Sequence, residues 1–87
     1  MKELDLLEKY LIDKAVIYDR TPTQIIVYSK HGTRLWDVIC QKGSYGYEEG
    51  LLEAMGSPIV KWSDGDSVVG YLTAQDVINR LEESDGD

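Results

Sequence analysis

Three short runs of β-branched and aromatic residues, Ala15-Val-Ile-Tyr18, Gln24-Ile-Ile-Val-Tyr28 and Arg34-Leu-Trp-Asp-Val-Ile-Cys40, follow one another with only Arg20-Thr-Pro-Thr23 and Lys30-His-Gly-Thr33 as separators. Such runs suit a pleated, half-buried surface. In the separators proline presets φ and glycine permits φ > 0, so the chain can reverse tightly twice. The pattern predicts three antiparallel strands joined by two hairpins. On the third run, period-two alternation places Trp36, Val38 and Cys40 on one face and Leu35, Asp37 and Ile39 on the other. The Trp36 face is expected to meet helices, because the other face includes a carboxylate that is costly to bury unpaired.

Helical grammar brackets these strands. Leu4, Leu7 and Leu11 fall at i, i+3 and i+7, with Leu6 and Tyr10 widening the stripe and Glu3, Asp5, Glu8 and Lys9 opposite, which predicts an amphipathic helix over 3–12. Near the other end, Thr73 with Asp76 three residues on forms a capping-box variant, and Leu72 with Val77 a hydrophobic staple. Ala74, Val77, Ile78 and Leu81 then trace one face of a last helix. Between them, Lys42-Gly-Ser-Tyr-Gly46 reads as a turn into a helix over 46–55, with Glu48 and Glu49 favouring the positive end of its dipole and Gly56-Ser-Pro58 closing it. Gly50 inside that helix suggests another backbone passing close by. Residues 58–69 read equally as a small hairpin or as a loop plus one strand. The expected fold class is therefore α+β, a small antiparallel sheet of three to four strands with helices mainly on one face, in the order α-β-β-β-α-(β)-α. At 87 residues the chain has room for one domain, 1–87, with an acidic tail at 82–87 expected to fray.

Composition removes several kinds of chemistry. Cys40 is the one cysteine and His31 the one histidine, so one chain assembles neither a disulfide nor a thiolate- or histidine-rich metal site. A Cys40–His31 nucleophile pair lacks an orienting third group, and a cysteine in an apolar run more often packs as a small apolar side chain. The net charge of −7 is unevenly placed: residues 1–47 hold seven cations against six carboxylates, while residues 48–87 hold only Lys61 and Arg80 against ten. A half with net charge −8 is unsuited to binding phosphate backbones, is compatible with a basic partner, and also serves plain solubility. No apolar run approaches a membrane span, and Met1-Lys-Glu-Leu-Asp5 lacks the layout of a signal peptide, so the cytoplasm is the expected location.

The glycines at 43, 46 and 50 match neither phosphate-binding spacing, and Glu48 and Glu49 would repel an anion there. Asp64 and Asp66 around Gly65 lack the glutamate that completes a calcium loop. More informative are the eight aromatics, all Tyr or Trp with no Phe. These two residue types bury large area while keeping a hydrogen-bonding tip, which serves interfaces as well as sheet–helix junctions. Tyr45, Tyr47 and Trp62 lie in or beside turns within the acidic half, and with Glu48, Glu49, Asp64 and Asp66 they form a candidate acidic-aromatic binding face.

Ile39-Cys40, then Gly43-Ser-Tyr-Gly-Tyr-Glu-Glu-Gly-Leu-Leu-Glu53, then Val69-Gly-Tyr-Leu-Thr-Ala-Gln-Asp-Val-Ile78 resembles small acidic proteins of uncharacterised role encoded by phages and prophages of Gram-positive bacteria. In those a YG-x-E-x-GLLE block precedes a V-x-G-[WY]-L-T-A block opening a terminal helix. The likeness covers about residues 39–81 and implies a setting, the host cytoplasm, without a mechanism. The resulting expectation is a non-enzymatic phage accessory protein, without cofactor, that binds a host or phage protein with a basic surface, in one version as a nucleic-acid-mimicking inhibitor of a defence or replication factor. The alternative is a small-ligand or nucleotide-binding module stacking a ring on Tyr45, Tyr47 and Trp62. Homodimerisation suits a domain this small, through a sheet edge or a helix face.

Overall fold

A computed structural model describes residues 2–85. Helix α1 (Lys2–Asp13) leads into strands β1 (Ile17–Thr21), β2 (Gln24–Tyr28) and β3 (Arg34–Ile39), then β4 (Leu52–Met55) and β5 (Val68–Leu72), and helix α2 (Ala74–Asp85) follows. The five strands form one antiparallel sheet in sequential order. The architecture is α+β, with five strands where the sequence suggests three to four, and one helix fewer.

The difference lies at 46–55. Gly46 and Gly50 both adopt left-handed backbone, and only Tyr47–Glu49 between them makes a single 3₁₀ turn. The five residues left between Gly50 and Gly56 are too few to repay helix nucleation. Glu53, Ala54 and Met55 instead pair with Ile39, Val38 and Asp37 of β3, and with Leu52 and Ala54 buried and Met55 exposed the segment shows the period-two signature of a strand. Pairing with an open strand edge overrides the helix propensity of Leu, Glu, Ala and Met. Gly50 has open space where a side chain would lie; it is required there by φ +71°, and no backbone passes close to it. Residues 58–69 resolve as a loop with a 3₁₀ turn at Trp62–Asp64, followed by the start of β5.

Both helices pack on the face predicted from Trp36. Leu4, Leu7 and Leu11 of α1 and Ala74 and Val77 of α2 bury with Ile25, Val27, Trp36, Val38, Leu52 and Ala54 of the sheet. Each fully buried leucine contributes roughly 2 kcal/mol. Asp37, on the opposite face, is nevertheless only 8% exposed. Its carboxylate accepts a hydrogen bond from Gln24 Nε2 at 3.1 Å and pairs with Arg34 at 3.2 Å, so it is not buried alone.

The start of α2 follows the expected grammar. The Asp76 amide donates to Thr73 Oγ1 at 3.0 Å, and the Thr73 amide donates to the Asp76 carboxylate at 2.9 Å. A third amide, that of Ala74, donates to Glu3 Oε1 of α1 at 2.7 Å, which ties the two helix starts together. Since Tyr10 and Lys14 meet Leu81 and Glu82 around one cleft at the other end, the helices run side by side in the same direction. Helix α2 continues to Asp85, and Glu83 pairs with Lys61, whose ammonium holds the Glu83 carboxyl below its ordinary range. Residues 86 and 87 lie outside the described residues.

Candidate functional site

Between β3 and β4 the chain makes a hydrogen-bonded loop. Ser44 Oγ donates to Gln41 O at 2.7 Å, and the Tyr45 amide donates to Glu53 Oε1 at 2.9 Å, pinning the loop to β4. Tyr45 rests directly on Gly70 of β5, where a Cβ would lie 2.3 Å from that of Tyr45. Opposite Glu53 the ladder is irregular: Leu52 pairs with Leu72 and Ala54 with Val69, so Gly70 and Tyr71 together face one residue. That is a β-bulge, a feature that re-aims a side chain.

Tyr71 in this bulge has φ 58°, a conformation rare for a bulky residue, which costs about 1–2 kcal/mol relative to extended backbone. Its amide reaches Tyr45 O at 3.4 Å. Tyr71 is 59% exposed and gains little by burial. Instead it lines a cleft of about 590 Å³ together with Tyr45, Tyr47, Glu48, Glu49 and Lys42. Tyr45 and Tyr47 are exposed as well, and neither Glu48 nor Glu49 has an ion pair among the described residues.

Of the seven residues singled out from sequence, the structure brings four together here: Tyr45, Tyr47, Glu48 and Glu49. Trp62 and Asp66 line a different hollow with Val60, Lys61, Gly65 and Ser67, before the start of β5, and no residue lines both. Trp62 is fully exposed. Asp64 turns toward α2, where Arg80 Nη1 donates to its carboxylate at 2.8 Å and also to Ile59 O at 2.8 Å. Asp66 accepts from the Ser67 amide at 2.6 Å. The seven residues therefore do not line one hollow. Tyr71 carries no signal of its own in the sequence, although a glycine within a strand-like run, Gly70, is the ordinary mark of a bulge.

Hydrogen bonds from Arg80, then from the Lys61 amide, hold the Asp64 carboxyl below the usual carboxylate range. The folded state thus favours the ionised form. The stability this gives is present above the unfolded-state value and is lost as pH falls through it and on to the folded value, below about pH 4. Thermal melts across the acid range are expected to show this loss in the wild type and a flatter acid limb in Arg80→Met.

Cys40 is fully buried, and burial pushes its thiol pKa up, away from nucleophilic character. His31 is exposed in the β2–β3 hairpin, before the start of β3, whereas Cys40 follows its end. Six strand residues separate them by roughly 20 Å, so the two do not form a pair. No helix among the described residues is long and apolar enough to cross a membrane.

Fold and site together define a two-layer α+β domain with an acidic cleft of three tyrosines between the β3–β4 loop and the last strand. No protein-family model matches the chain, and no curated protein or solved structure is detectably similar to it.

Proposed function

We propose that this is a non-enzymatic accessory protein, of the phage-encoded kind that residues 39–81 resemble, acting in a host cytoplasm by binding a partner protein with a basic surface through the tyrosine cleft. The observation that supports this is Tyr71. A bulky residue held at φ 58° with an exposed ring is strain without a packing return, and such strain clusters where a side chain must be presented to a partner. Three tyrosine faces and the unpaired Glu48 and Glu49 suit a lysine or arginine side chain by cation–π and ionic attraction. The nucleic-acid-mimicking version has less support, because Glu53, Asp64, Asp66 and Asp76 are engaged in internal hydrogen bonds. Ring stacking by Tyr45, Tyr47 and Trp62 together has none, since Trp62 lines a separate hollow.

An affinity pull-down from bacterial lysate tests the reading, at low and moderate salt. Wild type is expected to retain a specific protein, more weakly as salt rises; Glu48→Lys with Glu49→Lys is expected to lose it. Tyr71→Gly is the sharper variant, because glycine accepts the left-handed backbone. It is expected to raise stability by up to about 1 kcal/mol in denaturant titration while abolishing retention. Retention undiminished in both variants would remove the tyrosine cleft as the binding site.

A further inference from the structure

A second cleft, about 810 Å³, opens where the C-terminal turns of α1 and α2 meet the sheet end formed by β1, β2 and β3, and it shares no residue with the tyrosine cleft. We propose that it binds a small amphipathic anion, a short acyl or aryl chain ending in one carboxylate. Its size lies in the range of small-molecule sites, and its walls are apolar, from Leu11, Val16, Trp36, Pro58 and Leu81. The charges around it are Lys14, Lys30 and Glu82. Neither lysine has an ion pair among the described residues. In a molecule of net charge −7, this rim is locally positive.

A helix C-terminus would ordinarily repel an anion through its bare carbonyls. At α1 three of the last four are satisfied: the amides of Lys14, Ala15 and Val16 donate to Tyr10 O, Ile12 O and Leu11 O, each at 3.1 Å. The closure needs Ala15 at φ 56°, a position that glycine usually occupies in such caps. It leaves Lys14 and Val16 adjacent on the cleft wall, the one charged and the other apolar. The Lys14 ammonium lies 5.7 Å from the centroid of the Tyr10 ring, itself a lining residue, which holds the charge at the rim. Apolar walls with ammonium groups at the mouth match a ligand with an apolar body and an anionic end.

Trp36 lines the cleft and reports on it once Trp62→Phe has removed the other tryptophan. In that background octanoate, below its micelle-forming concentration, is expected to change Trp36 emission saturably. Octanol is expected to bind about tenfold more weakly or worse, and octylammonium to give no saturable change. Charge reversal by Lys14→Glu with Lys30→Glu, at two exposed positions, should keep the circular dichroism spectrum, lower Tm by only about a few degrees, and weaken octanoate by about tenfold or more. An absent saturable response to octanoate would overturn the proposal. So would equal binding of octanol or octylammonium, or octanoate binding unchanged by the charge reversal.

Discussion

Gly56→Ala is expected to destabilise the protein by at least about 3 kcal/mol and to leave much of it unfolded at temperatures where the wild type is folded. Two independent effects add at this position. The backbone has φ +100°, where an L side chain is strained, and a Cβ would lie 2.5 Å from Leu35 O and 2.8 Å from Trp36 Cα. Both obstacles belong to the backbone at the β3 strand, so no side-chain rotation relieves them. The alternative is for the end of β4 to lift from β3, which breaks the pairing that holds Met55 opposite Asp37. Total stability for a domain of this size is about 4–13 kcal/mol, so the loss is a large part of it. Urea titration monitored by circular dichroism measures it. A midpoint within error of wild type would show that the β3–β4 contact yields far more readily than a packed sheet should.

Gly70→Ala is expected to cost less stability, about 1–2 kcal/mol, and to destroy partner binding. Its Cβ would lie 2.3 Å from Tyr45 Cβ and 3.2 Å from Tyr45 O. Gly70 is fixed in the sheet, whereas Tyr45 belongs to an exposed loop, so the loop gives way at a cost of about 1–2 kcal/mol. Displacing Tyr45 breaks the contact between Tyr45 O and the Tyr71 amide and moves two of the three rings of the cleft. Loss of binding by about tenfold or more is expected, since aromatic anchors dominate interface energies. Amide NMR shifts confined to residues 44–49 and 69–72, together with loss of the retained protein, would bear this out. Full retention would mean that the placement of Tyr45 is irrelevant to recognition, and the tyrosine cleft would no longer account for binding.

The candidate site was legible in sequence only in part. Tyr45, Tyr47, Glu48 and Glu49 are neighbours in the chain, and their proximity needs no tertiary information. Trp62, Asp64 and Asp66 were grouped with them by shared composition and by lying in the same acidic half, a weak guide to position. Folding separates them: β4 lies between the two turns in the chain, Trp62 and Asp66 line a hollow of their own, and Arg80 draws Asp64 toward α2. The glycines teach the same lesson in reverse. Close backbone approach was expected at Gly50, where there is open space, and occurs at Gly56, while the tightest side-chain approach is at Gly70.

What the sequence determined by itself is what local rules govern: the leucine stripe of α1, the first two hairpins, the buried Trp36 face and the reciprocal Thr73–Asp76 cap. Each depends on residues a few positions apart, whose preferences agree with their neighbours. The tertiary structure decided the rest. Four good helix formers, Leu52 to Met55, became β4 because β3 offered an unpaired edge and the left-handed Gly50 and Gly56 left no room for a helix. That strand in turn brought β5 alongside, placed the Gly70–Tyr71 bulge against the Tyr45 loop, and so assembled a cleft from segments some 25 residues apart, a juxtaposition that depends on strand pairing across the sheet and leaves no periodic signal in the chain.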